Sequence, residues 1–135
     1  MLDGQLYHED SIGNGAVLKA GDIQVMSAGK GIFHSEFNAH DDKPVHLYQI
    51  WIEPREKRLE PVYADKTLEP DGIRTPIAKP DTDTSNDRTL TIRQDTWLDM
   101  LILGEGKSQE IELNTNRGYW LQLMEGQLEI LGNTL

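Results

Sequence analysis

There is no cysteine among the 135 residues of the chain. That absence excludes disulfide scaffolds, thiolate zinc sites, thiol nucleophiles and redox pairs together. Any metal has to be held by His, Asp or Glu. Basic side chains are scarce as well, with 13 Lys plus Arg against 23 Asp plus Glu and a formal charge of −10. A protein that grips phosphates needs a basic stripe, so direct binding to nucleic acid or to an anionic membrane surface is not expected. No run approaches the ~18 apolar residues of a membrane helix. Residues 1–10 carry neither the basic nor the apolar segment of a secretory signal, which makes the cytoplasm the expected location and a membrane partner unexpected. Aromatic content is 7% and mean hydropathy −0.55, yet three Trp and four Tyr lift the chain above a disordered composition.

What is present is short and alternating. The run 46–53 places Leu47, Gln49 and Trp51 on one parity and Tyr48, Ile50 and Ile52 on the other, the pattern of a strand buried on both sides. Residues 23–26, 90–93, 111–113 and 128–130 alternate as half-buried strands do. Residues 97–103 also read as a strand, because their flanks and length do not suit a helix. Gly-Asn at 13–14, Gly-Asp at 21–22 and Asn-Arg-Gly at 116–118 supply turns at the spacing of an all-β sandwich or barrel. The expected fold class is therefore all-β.

Five of the six prolines fall between Pro54 and Pro80, followed by the polar run Asp81-Thr82-Asp83-Thr84-Ser85-Asn86-Asp87. Proline removes ladder donors and polar clusters favour turns, so 54–88 reads as a long connection and not as sheet. A connection of that length suggests two units. Asp3-Gly4-Gln5-Leu6 recurs as Glu125-Gly126-Gln127-Leu128, each an acidic turn opening into an alternating strand.

Candidate chemistry lies in Gly21-Asp22-Ile23-Gln24-Val25-Met26-Ser27-Ala28-Gly29-Lys30-Gly31-Ile32-Phe33-His34-Ser35-Glu36. His34 and Glu36 are two residues apart, so in a strand they share a face and can converge on one cation; a solvent-facing pair fits the spacing equally. Ser27 lacks the first glycine of a nucleophile elbow. Gly29-Lys30-Gly31 lacks the third glycine of a dinucleotide loop, and no complete phosphate-binding Gly-x-x-x-x-Gly-Lys-Ser/Thr exists. His40 and His46 have no second His at a ligand spacing and read as structural or solvated.

Gly21-Asp22, Met26-Ser27-Ala28-Gly29, Gly31 and His34-Ser35-Glu36 together resemble the second metal motif of the pirin family of two-domain cupins. His8-Glu9-Asp10-Ser11-Ile12-Gly13-Asn14 is similar to the turn before it, and His46-Leu47-Tyr48-Gln49-Ile50-Trp51-Ile52 to the strand after it. The resemblance implies a cupin fold, jelly-roll-like, in a bicupin arrangement. It divides the chain into the later part of an N-terminal cupin over 1–54, a Pro-rich linker over 55–88 and the opening strands of a C-terminal cupin over 89–135.

The same resemblance implies a mononuclear divalent metal held by three His and one Glu, iron foremost, with Mn, Ni, Co, Cu or Zn as alternatives. His34 and Glu36 match two of those ligands. The other two belong to a His-x-His strand upstream of the Leu2-Asp3-Gly4 turn, so this chain is expected to begin after that strand and to stop short of the last strands. Quercetin 2,3-dioxygenase activity is implied, with a flavonol as the small-molecule partner, His34 as a neutral ligand and Glu36 as ligand and proton acceptor. The alternatives are a metal-responsive binding protein and an inactive fragment. Two ligands alone hold a cation weakly, so substoichiometric metal is expected of this chain. Strand edges left uncovered are expected to be satisfied either in a homodimer by strand exchange or by the two half-domains packing on each other within one copy.

Overall fold

The computed structural model describes residues 1–70, 72–85 and 89–135. Among them are ten strands and no helix, in agreement with the all-β expectation; none is therefore a helix long and apolar enough to cross a membrane. The chain forms two compact units, Met1–Glu105 and Gly106–Leu135.

Three sheets build the first unit. In one, β1 (Gln5–Asp10) lies between β2 (Gly15–Lys19) and β4 (His34–Asn38), antiparallel to both. The alternation of β1 is visible in its burial: Leu6, His8 and Asp10 are buried, and Tyr7 and Glu9 point the other way. Leu6 pairs with Leu18, and the two form the apolar floor of this face. On the opposite face Tyr7 packs on Phe37 with ring centroids 4.8 Å apart.

The second sheet pairs β3 (Asp22–Ser27) with β5 (Val62–Thr67), antiparallel from Asp22↔Thr67 to Ser27↔Val62. Asp22 is buried and fixes the start of this pair. Its carboxylate accepts from the Lys19 backbone N–H at 2.9 Å and from Thr67 Oγ1 at 2.6 Å. The third sheet sets β6 (Arg74–Pro80) between β7 (Leu90–Ile92), parallel, and β8 (Leu98–Leu101), antiparallel. Ala78 and Ile92 form its buried apolar centre.

Three sequence expectations are corrected. The segment 54–88 is not free of sheet, since β5 and β6 both lie within it. Its prolines sit where a strand can carry them: the β6–β8 register shifts between Pro76 and Ala78, and Pro80 ends the strand. Positions 71 and 86–88 of that expected linker lie outside the described residues. The run 46–53 is not a buried strand. His46 makes one isolated bridge with Asp3, after which the chain runs exposed, with Ile50 at 60% and Trp51 at 88% exposure. Its ends are held, by His46 to Asp3 and by Glu53 and Arg55 to Gln94 and Arg93. Among the described residues no backbone hydrogen bond is made from 47 to 52. Both parities carry apolar side chains, but among the described residues no neighbouring strand pairs with them.

The second unit holds β9 (Glu129–Ile130) and β10 (Asn133–Thr134), a small hairpin. Leu131 and Gly132 both have positive φ, 49° and 80°, as a tight two-residue hairpin turn requires. Residues 111–113 form no strand and are exposed, contrary to their alternation.

Candidate functional site

The β1–β4 register assembles the polar cluster of the first unit. His8 lies opposite Glu36 and Asp10 opposite His34. Directly opposed residues share a sheet face, so His34 and Glu36 project from β4 on the side that carries Leu6, His8 and Asp10. The expected common face is therefore found, with His34 exposed at its rim and Glu36 partly covered.

His8 is wholly buried at the centre. Its ring stacks on Tyr63 of β5 at 4.7 Å and faces His34 at 5.8 Å. Nδ1 lies 3.4 Å from Glu36 Oε1, and Nε2 lies 3.5 Å from Asp10 Oδ2. Both ring nitrogens are thus turned to carboxylates. Glu36 Oε1 also accepts from Gln24 Nε2 at 2.5 Å. Asp10 is better supplied, accepting from the Ile12 and Asn14 backbone N–H groups at 3.0 Å each and from Asn14 Nδ2 at 2.9 Å. The turn after β1 folds back because this carboxylate gathers its donors.

The electrostatics follow from those contacts. Burial alone would raise the Asp10 carboxyl, but the hydrogen bonds from Asn14, Ile12 and His8 together outweigh it and hold the group at about 2. Burial pushes the Tyr63 phenol up to about 12, and the negative charges of Asp65, Asp10 and Glu36 add to the rise. Tyr63 Oη and Gln24 Oε1 are buried without a hydrogen-bond partner among the described residues.

An exposed imidazole beside a half-covered carboxylate on one strand face suits a borderline divalent cation. The fit is partial. Among the described residues no three His, Asp or Glu gather to hold a metal, because His8, the nearest further donor, has both nitrogens turned to carboxylates. His40 and His46 lie on the loop after β4 and do not join the cluster. Sequence reasoning missed Gln24 and Tyr63. Gln24 was legible as the residue two past Asp22 on one face of β3, whereas Tyr63 lay in the segment expected to be a connection.

A separate groove of about 380 Å³ on β6 and β8 is lined by Arg74, Lys79, Trp97 and Asp99 among others, and shares no residue with this cluster. Its charges are met internally: Arg74 pairs with Asp99 at 2.7 Å, and buried Lys79 donates to the Ser85 carbonyl and hydroxyl.

Comparison with known proteins gives two family matches, to the family described as Pirin over residues 1–52 and to the quercetinase C-terminal cupin domain over 80–135. The quercetin 2,3-dioxygenase of Escherichia coli K12 is 34% identical over 132 residues, 98% of this chain and 56% of that protein. A pirin-like protein of Caulobacter vibrioides is 34% identical over 134 residues, 96% of this chain and 56% of its own length. The chain thus spans about half the length of the curated relatives it matches. Among solved structures, a nickel(II) complex of the bacterial pirin YhhW from E. coli is 40% identical with a TM-score of 0.65, covering 73% of this chain and 41% of that one. A second YhhW structure gives a TM-score of 0.67.

Proposed function

The chain belongs to the pirin family and has its cupin β fold, and from that premise we propose that it supplies His34 and Glu36 to a mononuclear divalent-metal site of the quercetin 2,3-dioxygenase type. The single observation that carries the reading is the β1–β4 register, which puts the imidazole and the carboxylate on one face beside a buried, hydrogen-bonded support. The dioxygenase name of the E. coli relative and the nickel held by the E. coli pirin support a divalent metal and a flavonol-type substrate. Iron is the metal of first choice in this proposal, with Mn, Ni, Co, Cu and Zn behind it.

His34 and Glu36 would hold a divalent metal at this face, which would supply Lewis acidity toward a flavonol hydroxyl. His34 then serves as a neutral nitrogen donor. Glu36 has Oε1 engaged by Gln24 and His8, which leaves Oε2 for the metal, and the carboxylate would also serve as the acceptor of the hydroxyl proton. His8 and Tyr63, stacked at 4.7 Å, would form the inner wall of the site beside the carboxylate. The division into an N-terminal cupin part over 1–54, a linker over 55–88 and a C-terminal cupin opening over 89–135 belongs to the same proposal. It is supported by family matches that leave 53–79 between them.

The test is anaerobic reconstitution of the chain with Fe(II), Mn(II) or Ni(II), metal analysis by mass spectrometry, and quercetin loss with oxygen uptake. Substoichiometric metal is expected in the wild type and none in the His34→Ala/Glu36→Ala double variant. Equal metal in both refutes the site. Metal retention without quercetin turnover moves the reading to a metal-responsive binding protein.

A further inference from the structure

We infer that Gln24 is a positioning residue that fixes which oxygen of Glu36 is presented to the metal; this rests on the metal reading above. Gln24 Nε2 donates to Glu36 Oε1 at 2.5 Å, and the same oxygen lies 3.4 Å from His8 Nδ1. Among the described residues Oε2 receives no hydrogen bond. One oxygen is therefore committed to the protein and the other is left for a ligand.

The amide orientation is itself constrained. Turned over, the side chain would set its carbonyl oxygen against the carboxylate, two acceptors in contact with no proton between them. Held as it is, Gln24 leaves its own Oε1 buried without a partner. A buried orphan acceptor is unfavourable, and native structures keep few of them. Here the carboxylate enforces it: the donor end of Gln24 goes to a charged acceptor, the stronger kind of hydrogen bond, and the acceptor end is sacrificed. The backbone cannot relieve this. β3 is locked by six paired positions to β5, and Asp22, two residues before Gln24 on the same face, is anchored by Lys19 and Thr67. A carboxylate held by one oxygen has one rotamer and one free oxygen, the pre-orientation that outer groups give a metal ligand.

The test uses the full chain with nickel(II) in calorimetry and zinc(II) in NMR. Gln24→Met keeps the length of the side chain and removes the donor, and a roughly 10-fold weaker nickel affinity is expected. Arg74→Met breaks the Arg74–Asp99 pair of the third sheet without touching β3 or Glu36, and its nickel affinity is expected to stay at the wild-type level. In wild-type NMR spectra the Gln24 side-chain amide should be shifted downfield, slow to exchange, and displaced in Glu36→Ala and on zinc addition. Unchanged nickel affinity in Gln24→Met, equal weakening in Arg74→Met, or an amide signal indifferent to Glu36→Ala overturns the inference. Should Gln24→Met fail to fold, the wild-type amide response to zinc decides, and no response overturns it. A wild-type chain that takes up no nickel refutes the metal site, and this role falls with it. Intact wild-type binding with an unaffected Gln24→Met refutes this role alone.

Discussion

Replacing Gly29 by Ala tests how the segment between β3 and β4 is held, because that turn determines where His34 begins. Gly29 has φ of 56°, a left-handed value that costs an L-residue about 1–2 kcal/mol. A Cβ at this position would collide with the Leu59 carbonyl oxygen, 2.9 Å from the Leu59 carbonyl carbon and 2.8 Å from that of Glu60. The segment can escape only by moving away from 59–60. That movement breaks the 2.8 Å bond from the Lys30 N–H to the Leu59 carbonyl, worth about 1 kcal/mol. The exposed Lys30–Glu60 ion pair adds little. The sum is a loss of about 2–3 kcal/mol for Gly29→Ala, read as a lowered urea midpoint by Trp fluorescence and circular dichroism. Gly13→Ala is the control, since φ there is 96° but the space around the glycine is open; it carries the strain without the collision. Gly29→Ala costing no more than Gly13→Ala would show that close approach to Leu59 is not what selects glycine.

Three other outcomes are expected. Asp10 titrates at about 2 in the folded chain against an ordinary 3.8, so unfolding takes up a proton as the pH falls. Its stabilisation is full above about 4 and is lost between about 4 and 2; urea midpoints measured down that range should fall less steeply in Asp10→Asn. Tyr63, raised to about 12 from an ordinary 10.0, holds its proton longer folded than unfolded, so its contribution is present below 10 and disappears as the pH rises through 12. Ultraviolet titration should show a late phenolate component that Tyr63→Phe removes. The exposed run 47–52, with Trp51 at 88% exposure, should drive copies to pair through it, and light scattering should report a smaller species for Ile50→Lys than for the wild type.

The strands that were legible in the sequence are those whose pattern is answered by a neighbour in the chain. Residues 23–26 alternate and pair with β5; 90–93 alternate, 97–103 have the flanks and length of a strand, and the strands they contain flank β6. The run 46–53 has the strongest strand pattern of all and forms none, because periodicity reports what a segment can bury and not whether a partner is present. The reverse error occurred at 62–67 and 74–80, where prolines argued against sheet. Pro76 lies beside a register shift and Pro80 at a strand end, positions that need no ladder donor. In the site, the spacing of His34 and Glu36 pointed to a common strand face, and the pirin resemblance singled them out as candidate ligands. Gln24, His8 and Tyr63 come from three other strands, and only the pairing of β1 with β4 and of β3 with β5 brings them in. No spacing rule connects residues 8, 24, 36 and 63.

Setting an imidazole between two carboxylates inside a small unit is costly unless each charge has donors of its own. Here the donors are unequally distributed. Asp10 receives three from its own turn, so it stays ionised and fixed, and His8 Nε2 faces a charge that cannot turn away. That anchors the ring. Nδ1 is then directed at Glu36 by geometry and not by the strength of a 3.4 Å contact. The shorter bond to Glu36 comes from Gln24 on a different strand pair, so the carboxylate is held from two directions by elements that are independently paired. Removing either support leaves a rotamer choice open to Glu36, while His34 at the exposed rim keeps its place on β4. The consequence is an ordering of effects. Substitutions at Asp10 and His8 act on stability first, because they strip partners from buried groups. Substitutions at Gln24 act on the free oxygen of Glu36 first, because β3 remains anchored through Asp22.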